Sequence, residues 1–359
     1  MFEPWTKAQA LARFGDMQSD WLEREYTPSS AINGNYQPYI TAYAQRSAAV
    51  RDALTSSSQL GVRYGKRPRN IIDVFPAPTS SGQPSPTVVF FHGGYWQESS
   101  LRDVSFPAAA LNAEGITYIS VGYTLAPSLT LSEIVDEARC AVAFIVANAA
   151  LMSVDVTRLI IGGHSAGAHL AVLSGAELDG RATPMPGFAL LSGIYELLPL
   201  LSTSINRALA LQETELDLLS PLRGVCSGSP LATTPLVLPT PSELPQASAS
   251  GRTASPPTKR QALVAWGAQD TDEFAWQSQM FSAALRFDNE RNEQANNQRD
   301  RDASPSNSIT SFCVADRNHF DLMFDLADRS SEVFQALCSQ LRLSKTLRTG
   351  TDNAGAAPG

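Results

Sequence analysis

The stretch RLIIGGHSAGAHLA, residues 158–171, is an apolar run that ends in paired glycines and gives way to a small-residue segment. Within it Gly163, Ser165 and Gly167 satisfy the pattern G-x-S-x-G. A β-rich run before the serine and a helix-forming run after it are the context in which this pattern makes a sharp strand-to-helix turn. The reason is steric. The turn is strained, so the residues two positions either side of the serine must be small. It drives the serine Oγ out of the sheet, and the N-terminus of the following helix lays a positive dipole end beside any negative charge that develops there. Ser165 is therefore the candidate nucleophile.

Working outward, short apolar runs alternate with segments of helical spacing. TVVFF (87–91), ITYISVGY (116–123), RLIIGG (158–163), FALLSG (188–193), ALVAWG (262–267) and SITSFCVA (308–315) predict strands. Helices are expected at 105–114, 131–149, from Ala166, at 274–287 and near 328–343. Strands alternating with helices predict an α/β protein with a mostly parallel central sheet and helices on both faces. The strands are continuously apolar, as strands buried on both sides are. With the serine turn, this is the α/β-hydrolase fold. Residues 1–60 read as a helical segment packing on that domain, with a break at Thr27-Pro28-Ser29-Ser30. The domain is expected over 61–343. Residues 223–260 and 288–308 lack periodicity and are expected to be flexible insertions, and 344–359 a disordered tail.

Bulk properties exclude several classes. The net charge of −8 provides no basic field for phosphates, so neither nucleic acid nor an anionic membrane is an expected partner. No run of about 18 apolar residues exists to span a bilayer. The opening MFEPWTKAQALARFGDMQ lacks a charged head followed by an apolar run, so a cytoplasmic protein is expected. Cys140, Cys226, Cys313 and Cys338 are widely spaced, which signals neither zinc nor a disulfide framework. Cys140 and Cys313 read as small buried hydrophobes. No metal and no organic cofactor is expected. Oligomeric state has no signature, a homodimer being one open state.

A serine hydroxyl needs a base. The chain has four histidines, His92, His164, His169 and His319. His92 belongs to a glycine turn, His164 adjoins Ser165 with its side chain expected to point away, and His169 faces where its helix packs. His319 alone follows the acid in the order Ser, Asp, His and sits in a loop past a strand. The acid should leave the strand ALVAWG, and Asp270 or Asp272 can serve. Asp270 is nearer the strand, and Asp272 suits a helix N-cap. Ala166 and the loop residues Gly93 and Gly94 are the expected oxyanion donors, each typically worth roughly a hundred- to a thousand-fold in rate. Tyr95 and Trp96 beside them are candidate substrate contacts, and Tyr195 a weaker one.

The pair His92-Gly93-Gly94-Tyr95-Trp96-Gln97 and Gly163-His164-Ser165-Ala166-Gly167-Ala168-His169-Leu170-Ala171 resembles the kynurenine formamidase (arylformamidase) family. Related esterases usually carry a third glycine where this chain has Tyr95. Leu22-Glu23-Arg24-Glu25-Tyr26-Thr27-Pro28-Ser29, Tyr123-Thr124-Leu125-Ala126-Pro127, Leu191-Ser192-Gly193-Ile194-Tyr195-Glu196-Leu197 and Asn318-His319-Phe320 are similar to further segments of that family. So is Gly267-Ala268-Gln269-Asp270 with Glu273-Phe274, which favours Asp270 as the acid. The similarity covers roughly 20–222 and 261–343. It implies a serine hydrolase that cleaves the formyl group of N-formyl-L-kynurenine, a step of tryptophan catabolism, with an aryl formamide or ester as its small-molecule partner. A short-acyl carboxylesterase and a non-catalytic binding protein on the same fold are the alternatives. The insertion 223–260 follows the region that lids such enzymes, so it is the expected source of altered substrate choice.

Overall fold

Strands β1 Gln59–Arg63, β2 Ile71–Phe75, β3 Ser85–Phe91, β4 Thr117–Val121, β5 Val154–His164, β6 Gly187–Leu191, β7 Ala262–Gly267 and β8 Ile309–Val314 make one sheet in the computed structural model. The structure describes residues 5–78, 83–175, 185–227, 260–296 and 309–349. The strand order is β1-β2-β4-β3-β5-β6-β7-β8. β2 pairs antiparallel with both β1 and β4, and the remaining pairs are parallel. The fold is that of the α/β-hydrolases. β3 to β8 fall on the six apolar runs. β1 and β2 escape the sequence reading because β1 is mostly exposed and β2 carries Asp73 in its middle. That aspartate is buried and ion-paired to Arg51.

The helices are α1 Lys7–Phe14, α2 Ser19–Glu25, α3 Gln37–Leu54, α4 Ala108–Ala113, α5 Leu131–Ala147, α6 Ala166–Gly175, the short α7 Asn206–Leu209, α8 Leu216–Leu219 and α9 Pro221–Ser227, then α10 Asp272–Asn296 and α11 Glu332–Thr349. Side chains alternate across a strand. Val89 and Phe91 of β3 therefore join a core with α5, α6 and α10, while Val88 and Phe90 join a second core with α4, α11 and Tyr43 of α3. Both faces being covered is why the strands read as unbroken apolar runs. Every residue of α6 is buried, so this helix, which follows the candidate nucleophile, is wedged inside the fold.

The N-terminal helices are fastened by polar contacts as well as by packing. Arg51 of α3 pairs with Asp73, Arg13 of α1 with Glu273, and the Trp5 indole N–H donates to Glu196 at 2.8 Å. Thr271 Oγ1 donates to the Glu25 carbonyl at 2.6 Å, and Gln277 Nε2 to the Tyr26 hydroxyl at 3.1 Å.

Parts of the stretches expected to be flexible or disordered belong to helices. Residues 223–227 continue α9, with Arg223 buried on Glu196 through Nε at 2.9 Å and a second nitrogen at 2.7 Å. Residues 288–296 continue α10, where the polar side chains find one another: Asp288 accepts from Arg260 at 2.9 Å and Arg291 at 2.6 Å. Helix α11 runs to Thr349, beyond the expected end at 343. The rest of these stretches lies outside the described residues. Cys313 is exposed rather than buried because β8 is the sheet edge; Cys140 is half-buried.

Burial ranks the ion pairs. Arg223→Met should destabilise the protein by about 3–5 kcal/mol, because Glu196 would remain buried without its cation. Lys7→Ala, which breaks the exposed pair with Glu213, should leave stability nearly unchanged, because solvent screens both charges. Urea melts of the two variants check the contrast.

Candidate active site

Ser165 sits between β5 and α6 at φ +54°, and its N–H donates to the Leu191 carbonyl at 2.9 Å. A Cβ on Gly163 would lie 2.2 Å from the Gly167 carbonyl, and one on Gly167 would lie 2.1 Å from the Phe91 carbonyl. The two glycines therefore let the turn close against itself and against β3. Ser165 faces a cleft of about 480 Å³.

Asp270 leaves the end of β7, and both of its oxygens have hydrogen-bond partners. Its Oδ1 lies 2.8 Å from His319 Nδ1, and Oδ2 accepts from Ser192 Oγ at 2.5 Å and from the Gly267 N–H at 3.2 Å. A carboxylate only accepts, so His319 Nδ1 carries the proton and Nε2 keeps its lone pair. The acid and base loops are joined by backbone bonds from Ala268 to Val314 at 2.9 Å and from Gln269 to Arg317 at 2.8 Å. Asp272 is exposed and opens α10, one position inside the expected N-cap; Thr271 precedes it. Ser192 was absent from the sequence-derived site. Its only sequence signal is its place after a strand, where β6 ends beside β7.

The oxyanion loop is built from left-handed backbone: Gly94 at φ +98°, Tyr95 at +48° and Trp96 at +59°. A Cβ on Gly94 would lie 2.6 Å from the Glu98 carbonyl. Gly93 and Gly94 line the cleft with Ser165. Ala166 is the first residue of α6, where N–H groups have no intrahelical partner. His92 braces the loop from beneath, its Nδ1 2.8 Å from the Gly93 carbonyl and its ring stacked on Tyr123 at 4.1 Å.

The two aromatic candidates part company. Tyr95 lines the cleft and donates its hydroxyl to the Tyr26 carbonyl at 2.6 Å. Trp96 does not line it. The successive positive φ angles turn its indole into the core, edge-on to His169 at 4.9 Å and fully buried. Tyr195 is likewise core, stacked on Phe281 at 4.0 Å.

Much of the cleft's lining comes from the N-terminal segment, including Glu23, Tyr26, Tyr36 and Tyr43; the expectation placed on 223–260 falls largely outside the described residues. Helix α3 holds the base loop too: Tyr43 donates to the Phe320 carbonyl, Asn318 Nδ2 donates to the Tyr39 hydroxyl at 3.1 Å, and Tyr36 and Tyr39 stack on Phe320. These contacts join segments about 280 residues apart, as the 279-residue separation of Tyr39 and Asn318 illustrates.

His164 does not point away. It lines the cleft, and its Nε2 lies 2.7 Å from the His319 main-chain carbonyl. Being the last residue of β5, it reaches across the strand ends to the base loop. His169 Nε2 lies 2.7 Å from the Leu219 carbonyl. Burial lowers the pKa of His92 to about 3 and of His169 to about 4, and pushes that of His164 well below the usual imidazole range. Among the described residues no cluster of three or more His, Cys, Asp or Glu forms a metal site, and no helix is long and apolar enough to cross a membrane.

Comparison with known proteins agrees with this layout. The BD-FAE family model matches residues 72–184. The kynurenine formamidase of Salmo salar is 33% identical over 211 residues, which cover 56% of this chain and 69% of that protein. The kynurenine formamidase of Danio rerio is 34% identical over 209 residues, 56% of this chain and 70% of its own. A solved chain from Silicibacter sp. superposes with a TM-score of 0.64 at 21% identity, over 88% of this chain and 98% of that one, a likeness of fold.

The depressed histidines make stability acid-sensitive. A base whose folded pKa lies below its unfolded value near 6.5 stabilises the fold above that value and loses the contribution as pH falls toward the folded one. For His169 the window is about pH 6.5 to 4. His169→Gln should lower the slope of unfolding free energy against pH there by about 1.4 kcal/mol per pH unit, as measured by urea melts at stepped pH.

Proposed function

This chain is a hydrolase of the kynurenine formamidase family, and from that premise we propose that it removes the formyl group of N-formyl-L-kynurenine, releasing kynurenine and formate. The observation that carries the mechanism is the 2.8 Å contact between His319 Nδ1 and buried Asp270, in a cleft shared with Ser165. His319 Nε2 takes the Oγ proton as Ser165 attacks the formyl carbon. The N–H groups of Gly93, Gly94 and Ala166 hold the resulting oxyanion. The C–N bond then breaks, and His319 returns the proton to the leaving arylamine. Water, deprotonated by the same imidazole, attacks the formyl ester; formate departs and the serine is regenerated. Asp270 fixes the imidazole tautomer and stabilises the imidazolium without itself taking the proton.

The cleft suits such a substrate. A formyl group needs little room beside the oxyanion loop, whereas the aryl leaving group needs an apolar wall, which Tyr26, Tyr36, Tyr95 and Phe320 offer. Esters pass through the same tetrahedral intermediate, so substrate comparison is the test. We expect kcat/KM for N-formyl-L-kynurenine to exceed that for p-nitrophenyl acetate. An amide value no better than the ester value defeats the formamidase reading and leaves a general esterase; a folded chain with neither activity leaves a binding protein.

Ser165→Ala should abolish turnover with the fold intact. Asp270→Asn should lower kcat by about 10⁴-fold through the wrong imidazole tautomer, and Asp272→Asn should have little effect. Steady-state rates of the three variants check this, and the reverse order for the two aspartates would show the acid to be Asp272.

A further inference from the structure

His164 is the feature that the mechanism above leaves unused. It is buried beside the nucleophile, and its Nε2 lies 2.7 Å from the main-chain carbonyl of His319. A carbonyl only accepts, so Nε2 bears the proton and donates. The two imidazole rings lie 4.6 Å apart at 52°. On its other side, the His164 carbonyl and Nδ1 sit close against Gly93, at 2.9 Å and 3.2 Å from where a Cβ on that glycine would stand. One residue thus touches the peptide of the base and the oxyanion loop, and is covalently joined to the nucleophile.

We propose that His164 is a positioning residue: its imidazole ties the peptide of His319 to the strand-to-helix elbow that carries Ser165, and so sets the distance between the base and Ser165. The proposal rests on the assignment of Ser165 and His319 above. The base loop is also held at Arg317 by Gln269, at Asn318 by Tyr39 and at Phe320 by Tyr43, and the imidazole of His319 by Asp270. Among the described residues, His164 makes the hydrogen bond to the base's own carbonyl, and it comes from the strand that leads into Ser165. It therefore links the peptide of the base directly to the segment that carries Ser165, which the other ties do not.

The burial that keeps His164 uncharged matters for the same reason. The facing His319 must become an imidazolium during turnover, and a second cation 4.6 Å away in a buried site would oppose it. A neutral donor holds the loop without that cost. Lysine or arginine at 164 could supply an N–H but would bring a fixed charge.

Three variants test this: His164→Phe, which keeps a planar ring without a donor; His164→Gln, whose Nε2 can reach the position of the imidazole Nε2; and His164→Asn, whose amide is too short. A misplacement of about 1 Å can cost about a hundred-fold in rate. We expect His164→Phe and His164→Asn to lose about 30- to 100-fold in kcat with KM within about two-fold, and His164→Gln to recover kcat to within about five-fold of wild type. The low-field proton resonance of the His319 Nδ1–H shared with Asp270 should shift or broaden in the Phe and Asn variants and return in the Gln variant. A packing role alone would place Phe, which keeps the ring, above Gln, whereas a donor role places Gln above Phe. If His164→Phe does not fold, the Gln and Asn pair decides. Equal activity of Gln and Asn, or a folded Phe variant with wild-type kcat, overturns the proposal. Fluorophosphonate labelling of wild type separates the two levels: no labelling of Ser165 means that the nucleophile assignment has failed, whereas wild-type labelling with an unchanged rate in His164→Phe means that only the positioning role has failed.

Discussion

The left-handed backbone of Ser165 is the constraint on which the remainder of the architecture depends. A non-glycine residue at φ +54° persists only where its surroundings hold it there. Here the surroundings are rigid on every side. β5 lies between β3 and β6 in the middle of the sheet, the serine N–H is tied to Leu191, and α6 is buried along its whole length. Gly163 and Gly167 allow the strand end, the helix start and the end of β3 to approach more closely than any side chain would permit. The candidate nucleophile is thus presented from a central strand and a fully buried helix, flanked by the two cores on either side of the sheet.

Around this fixed point the other groups arrive on loops that lash one another. The loop of Asp270 donates backbone hydrogen bonds to Val314 and Arg317 ahead of His319, Ser192 and Gly267 donate to the second oxygen of Asp270, and His92 supports the candidate oxyanion loop through the Gly93 carbonyl. The N-terminal segment closes the arrangement. Tyr26 receives the Tyr95 hydroxyl through its carbonyl and the Gln277 amide through its own hydroxyl, while α3 grips the loop of His319. A stretch that reads as an appendage to the hydrolase domain is a wall of its cleft and a support for both of its loops.

The four histidines show how burial divides one residue type among different tasks. His92, His164 and His169 lie where charging is opposed, so they act as fixed hydrogen-bond partners of backbone carbonyls. His319 differs in having a carboxylate at its Nδ1, the partner that an imidazolium needs.

How much of this was legible in the sequence follows from the range of the interactions involved. Ser165 and its glycines are a local device, since the steric demand of the turn falls on residues two positions away. The strands β3 to β7 were legible because burial on both faces demands unbroken apolar runs, and His319 stood out as the candidate base because so few histidines compete for one role. β1 and β2 were not, because an exposed edge strand and a strand bearing a paired aspartate carry no such run. The orientations of His164 and Trp96, the part played by Ser192 and the source of the cleft wall were decided by tertiary structure alone. Each depends on what a distant segment places opposite it: a carbonyl 155 residues away for His164, a carboxylate 78 residues away for Ser192. Sequence by itself determined the chemistry that the elbow can perform and the fold that presents it. Only the packed chain decided which neighbours hold that chemistry in register, because hydrogen bonds between remote segments leave no periodicity in either.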